Sequence, residues 1–143
     1  MDYIKMTDEF ITAMGQDKNV GLDKYDDLDI LRLRMSLLRE ELREVEEEAG
    51  NIEDVIYQGV IEGDVSKEDI KRVKAALLKE LCDLQYVLSG FAVTFGLPLD
   101  EAFKRVHESN MSKLGPDGKP IYREDGKVLK GPNYKKPALS DLD

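Results

Sequence analysis

The sequence predicts an all-α protein, a helical bundle closed by a basic C-terminal tail of β-hairpin-like character. Three observations predict it. No proline occurs in the first 97 residues, and four of the five follow residue 115, so helices are unrestricted over most of the chain. Apolar residues recur at steps of three and four through several long windows. After Gly115 this periodicity gives way to turn residues and short runs. The chain of 143 residues has the length of one domain. Residues 1–114 read as the helical domain, and residues 115–143 as a basic tail packing on that same domain.

The elements follow in order. Ile4, Ile11 and Met14, with Phe10 beside them, predict a short first helix ended by Gly15. From Asp27 to about Glu48 the apolar positions are Leu28, Leu31, Met35, Leu38, Leu42 and Val45, an amphipathic stripe. Ala49-Gly50-Asn51 is expected to end that helix, and Ile52, Val55, Ile56 and Val60 to form a separate short one closed near Gly63. Ser66, three residues before Asp69, is an N-cap signal for a long helix over Lys67 to Phe95. The second half of that helix is apolar all round, so burial on several sides is expected. Gly96 stops it, and Pro98 suits the first turn of a last helix, Leu99 to about Ser112. Asp125-Gly126 between Ile121–Glu124 and Lys127–Lys130 is a two-residue hairpin signal.

Composition excludes several classes. The formal net charge is −9, against a nucleic-acid partner, which needs a basic face. The longest charge-free stretch, residues 84–99, is 16 residues, short of the roughly 20 that a spanning helix needs, so no membrane partner is expected. One cysteine and one histidine leave no disulfide and no Cys- or two-His zinc site. Cys82 reads as a small packing residue. Met1–Lys5 and the charges after it do not read as a signal peptide, and the cytoplasm is the expected compartment. Residues 113–136 hold seven basic and three acidic residues, about +4 net, which leaves about −13 on the remainder.

Chemistry concentrates in two acidic groups: Glu40, Glu41 and Glu44 on one helix, Glu80 and Asp83 on the next. Spacings of three and four place each group on one helix face, and both groups border the apolar stripes. If the two helices pack together, up to five carboxylates converge. Two unit charges 4 Å apart repel by about 4 kcal/mol at an effective dielectric of ~20, so such a cluster must take protons or bind cations. Hard oxygen donors favour Mg²⁺ or Mn²⁺. The alternative is a solvated charged face, with Arg39 and Arg43 pairing carboxylates along the same helix.

The run Arg32-Leu33-Arg34-Met35-Ser36-Leu37-Leu38-Arg39-Glu40-Glu41-Leu42-Arg43-Glu44-Val45 resembles the first motif of the MazG-like, all-α nucleoside triphosphate pyrophosphohydrolases. Glu80-Leu81-Cys82-Asp83 resembles their second, ExxD. Val106–Lys113 resembles the Asn/Lys segment that follows it, and Gly126–Tyr134 is similar to tails of the single-domain branch that includes dUTP- and dGTP-cleaving enzymes. The resemblance covers about residues 25–137. One departure is the longer separation between Glu44 and Glu80, with the extra length around residues 51–69, expected as a surface helix or inserted turn.

The resemblance implies an enzyme of the all-α NTP pyrophosphatase fold. It would cleave a (d)NTP between the α and β phosphates to the monophosphate and pyrophosphate, with Mg²⁺ or Mn²⁺ as cofactor. By position in the motif, Glu41 would handle the attacking water, and Glu40, Glu41, Glu44, Glu80 and Asp83 would form the metal site. Asn110 and Lys113 would meet sugar or phosphate, and Lys127, Lys130 and Tyr134 would close over the substrate. A homodimer or homotetramer is implied. A non-catalytic helical oligomerisation module and a nucleotide- or metal-binding protein without turnover are the competing readings.

Overall fold

The computed structural model describes residues 2–142 and contains four α-helices: α1 (Tyr3–Ala13), α2 (Asp27–Glu62), α3 (Lys67–Thr94) and α4 (Leu99–Met111). The chain forms two compact units, one running to Gly96 and one beginning at Leu97. The boundary precedes α4, whereas the sequence reading set the tail apart from residue 115.

In the first unit α3 packs against both α1 and α2. The side chain of Asp2 caps α1, accepting from the Lys5 amide at 2.9 Å. Gly15 adopts φ +63 just beyond the end of α1. The following loop returns to α3, where the Val20 amide donates to the Thr94 carbonyl at 2.8 Å and satisfies one of the acceptors a helix end leaves open. Ile11, Val73, Ala92, Val93 and Phe95 form the buried apolar core. Gly90 sits 3.6 Å from Ile11 Cδ1 and from Thr7 Cγ2, measured at an ideal Cβ position. Phe10 and Tyr86 meet edge to face with centroids 5.5 Å apart.

One sequence expectation is corrected. Residues 27–62 form one continuous helix, not two. Gly50 lies inside it with no positive φ and nothing within 4 Å of an added Cβ. A helical glycine costs only about 1 kcal/mol, less than the packing it would sacrifice by breaking the helix. The true stop is Gly63 at φ +83. The extra length between Glu44 and Glu80 therefore extends the α2–α3 hairpin, and its turn is set by Gly59, where a Cβ would lie 2.7 Å from Val65. Within one chain the second half of α3 is covered over part of its circumference. Ser89, Gly90 and Ala92 to Phe95 are buried, while Leu81, Tyr86 and Leu88 stay exposed.

The second unit is α4 with the tail folded on it. Ser109 Oγ donates to the Lys135 carbonyl at 2.7 Å, and the Lys135 amide donates to Ser112 Oγ at 2.9 Å. The Gly131 amide donates to the Lys113 carbonyl at 2.8 Å. The expected hairpin reduces to an antiparallel bridge between Tyr122 and Val128 around Gly126 at φ +82. Among the described residues, no helix is long and apolar enough to cross a membrane.

Candidate active site

Three of the five acidic residues meet where α2 and α3 face each other. One carboxylate oxygen from each of Glu41, Glu44 and Glu80 lies within 4.8 Å of the others, and all three residues are half-buried. On α2, Glu41 and Glu44 are three residues apart and share the face that also carries Leu37, Leu38 and Val45, all half-buried. On α3, Glu80 is turned inward, its side chain only 13% exposed, while Asp83 is at 41%. Asp83 borders the group closely enough for its charge to act on Glu41. Glu40 is exposed and stands outside the three-carboxylate group, although its charge also reaches Glu41.

Glu41 has the most perturbed carboxyl of the cluster. Burial pushes it above the ordinary carboxylate range, and the negative charges of Glu44 and Asp83 push the same way. Its Oε2 is enclosed and has no hydrogen-bond partner. An enclosed acceptor costs free energy unless something donates to it or binds it. That atom, in a set of donors made only of hard carboxylate oxygens, fits a divalent cation.

Sequence reasoning missed Lys79. Its Nζ lies 2.9 Å from both Glu80 Oε2 and Asp83 Oδ2, and these two hydrogen bonds push its pKa up. The signal was present as an i,i+4 Lys–Asp spacing beside the ExxD motif. Arg34, about two helical turns before Glu41 on α2, was missed as well. Its Nη2 donates to Gln16 Oε1 at 3.1 Å, its Nε is enclosed and unpartnered, and burial lowers its pKa.

The five residues expected to meet substrate all lie in the second unit. Lys113 Nζ donates to Asn110 Oδ1 at 2.7 Å just past the end of α4. Lys130 Nζ sits over the Tyr134 ring, 4.5 Å from its centroid. Lys127 is exposed, and its backbone amide donates to Asp125 Oδ1 at 3.1 Å. His107 is exposed. Cys82 is exposed too, and so is not the packing residue expected. It lines an apolar hollow of about 410 Å³ with Tyr3, Met6 and Tyr86, on the side of α3 away from Glu80 and Asp83.

A family model described as phosphoribosyl-ATP pyrophosphohydrolase matches residues 7–110. The chain belongs to this family. The match spans both acidic motifs and ends at Asn110, so Lys113, Lys127, Lys130 and Tyr134 lie beyond it. Membership makes the chain a pyrophosphohydrolase acting on nucleotides, of a class typically dependent on divalent metal, as the MazG-like resemblance implied at that level. No curated protein matches the chain. Among solved structures it is similar to a provisionally assigned NTP pyrophosphohydrolase from Exiguobacterium sp. 255-15. That similarity is 22% identity over 96% of this chain and 89% of the other, with a TM-score of 0.46.

Proposed function

We propose that the protein is a Mg²⁺- or Mn²⁺-dependent pyrophosphohydrolase of (deoxy)nucleoside triphosphates, converting a dNTP and water to the dNMP and pyrophosphate, with dUTP or dGTP as leading substrates. The observation that carries this reading is the group of three carboxylates from two facing helices, one of them with an enclosed oxygen that nothing binds. Glu40, Glu41, Glu44, Glu80 and Asp83 would hold the metal. When bound, the metal supplies bridging positive charge between anionic phosphates and anionic side chains, and stabilises charge that builds during transfer.

The remaining chemistry falls to the chain. Hydrolysis forms one P–O bond from water, breaks one P–O bond of the α–β bridge and requires a base for the proton of water. Glu41 fits that task. Burial and the neighbouring carboxylates raise its pKa, which makes it a better proton acceptor than an ordinary carboxylate. Asn110 and Lys113 would bind sugar or phosphate oxygens, and Lys127, Lys130 and Tyr134 would cover the substrate, with the ring available to stack on a base.

The family description favours a second substrate, phosphoribosyl-ATP, whose hydrolysis also releases pyrophosphate. Incubating the protein with each dNTP and with phosphoribosyl-ATP, in Mg²⁺ or Mn²⁺, and assaying pyrophosphate decides between them. Turnover of a dNTP alone supports the first reading, and turnover of phosphoribosyl-ATP alone replaces it. Metal binding without any turnover leaves a binding protein.

A homodimer or homotetramer in the cytoplasm completes the proposal. Val60, Ile61 and Leu78 are each more than 60% exposed on α2 and α3, apolar surface that a second copy would cover. Light scattering is expected to give a mass above one subunit.

A further inference from the structure

We propose that Lys79 is a built-in competitor for the divalent cation, a positioning residue that holds Asp83 away from the carboxylate group until the ion displaces it. The inference rests on the reading of Glu41, Glu44 and Glu80 as a metal site.

Glu80 belongs to two groups at once. It lies with Glu41 and Glu44, one oxygen of each within 4.8 Å of the others, and it also accepts from Lys79 Nζ at 2.9 Å. The same ammonium binds Asp83 Oδ2 at 2.9 Å. Asp83 is the second acid of the ExxD spacing, yet it is not among the three that share a potential ion. Its Oδ2 pairs with Lys79 instead. An ammonium and a divalent ion held by the same carboxylate compete for its negative charge and repel each other. Lys79 itself is well exposed, at 63%, so its side chain can swing into solvent with little packing lost. No other cation is paired with Glu80 or Asp83 among the described residues. The device has a clear benefit for the fold. Half-buried anions at this separation need a counter-charge, and Lys79 supplies one inside the chain.

The test is calorimetric titration of the full-length protein with Mn²⁺. The proteins compared are wild type, Lys79→Met, Lys79→Gln, Lys79→Arg and, as a control for general charge, Lys74→Met, which removes an exposed lysine of the same helix. Removing two ion pairs of this exposure should tighten Mn²⁺ binding about tenfold in Lys79→Met and Lys79→Gln. Lys79→Arg and Lys74→Met should stay within about threefold of wild type. A second readout moves the opposite way: in EDTA the Lys79→Met protein should melt below wild type, and Mn²⁺ should restore it. A lysine with only a structural role would lower the melting temperature without tightening the metal. Binding by wild type that is unchanged or weaker in both neutral variants overturns the competition and leaves the metal site standing. Absence of Mn²⁺ binding in every protein overturns the site and the competition together.

Discussion

Replacing Glu41 by Gln should make the metal-free protein more stable while removing its activity. Glu44 and Glu80 each place a carboxylate oxygen within 4.8 Å of a Glu41 oxygen. At an effective dielectric of ~20 each pair repels by about 3.5 kcal/mol. Glu41 and Glu44 are only half-buried, so solvent and salt reduce this roughly threefold, to about 1 kcal/mol per pair. Attraction to Lys79, which Glu41 also feels, offsets part of the relief. A net gain of about 1 kcal/mol remains, which for a chain of this length raises the melting temperature by roughly 3 °C.

The amide group introduced beside the enclosed Oε2 position can donate to a neighbouring carboxylate, so no new unsatisfied donor is created. The pH dependence has a fixed sign. Burial, then Glu44 and Asp83, raise the Glu41 carboxyl above its ordinary 4.5. The folded state thus holds the Glu41 proton more tightly than the unfolded chain does. This contribution to stability is complete below the unfolded value and is lost as pH rises through the raised folded value. The stability advantage of Glu41→Gln should therefore open above the folded value and close toward pH 4.5. The assay is thermal melting in EDTA over a pH series, paired with pyrophosphate release in Mg²⁺. Loss of a general base should lower kcat by at least about 100-fold. A variant that melts below wild type at neutral pH, or that retains full turnover, would refute the reasoning.

Three further outcomes are expected. Gly50→Ala should stabilise the protein by about 1 kcal/mol in urea unfolding, since the site is helical with open space around it. Gly131→Ala should loosen the tail and cost at least about 1 kcal/mol, because its Cβ would lie 2.8 Å from the Lys113 carbonyl. Limited proteolysis should then cut the tail faster. Arg105 binds Glu101 at 2.8 Å and Asp141 at 2.6 Å, and holds both carboxyls below their ordinary values of 4.5 and 3.8. Their contribution is present above those values and is lost as pH falls through the depressed ones. Hydrogen exchange at residues 135–141 should therefore accelerate in strong acid, and in Arg105→Met at neutral pH as well.

Much of the fold was legible because helices announce themselves locally. The apolar spacing of Leu28 to Val45 and Ile70 to Phe95 marked α2 and α3, and Gly15, Gly63 and Gly96 marked ends that do adopt positive φ. Gly50 carries the same letter and has the opposite meaning. A glycine permits a stop without requiring one, and the contacts that keep the helix going there come from residues far along the chain. The candidate site divides the same way. The spacings of Glu41 and Glu44, and of Glu80 and Asp83, were readable as shared faces, but spacing ranked all five acids alike.

The sequence by itself determined the helical class, most helix limits and which residue types were available to bind a cation, because backbone periodicity, capping and donor chemistry are local properties. Only the tertiary structure decided that Glu41, Glu44 and Glu80 converge, that Glu40 stands in solvent and that Lys79 takes Asp83. Those outcomes depend on how two helices are rotated against each other, and that rotation is set by the sum of many weak packing contacts rather than by any one residue.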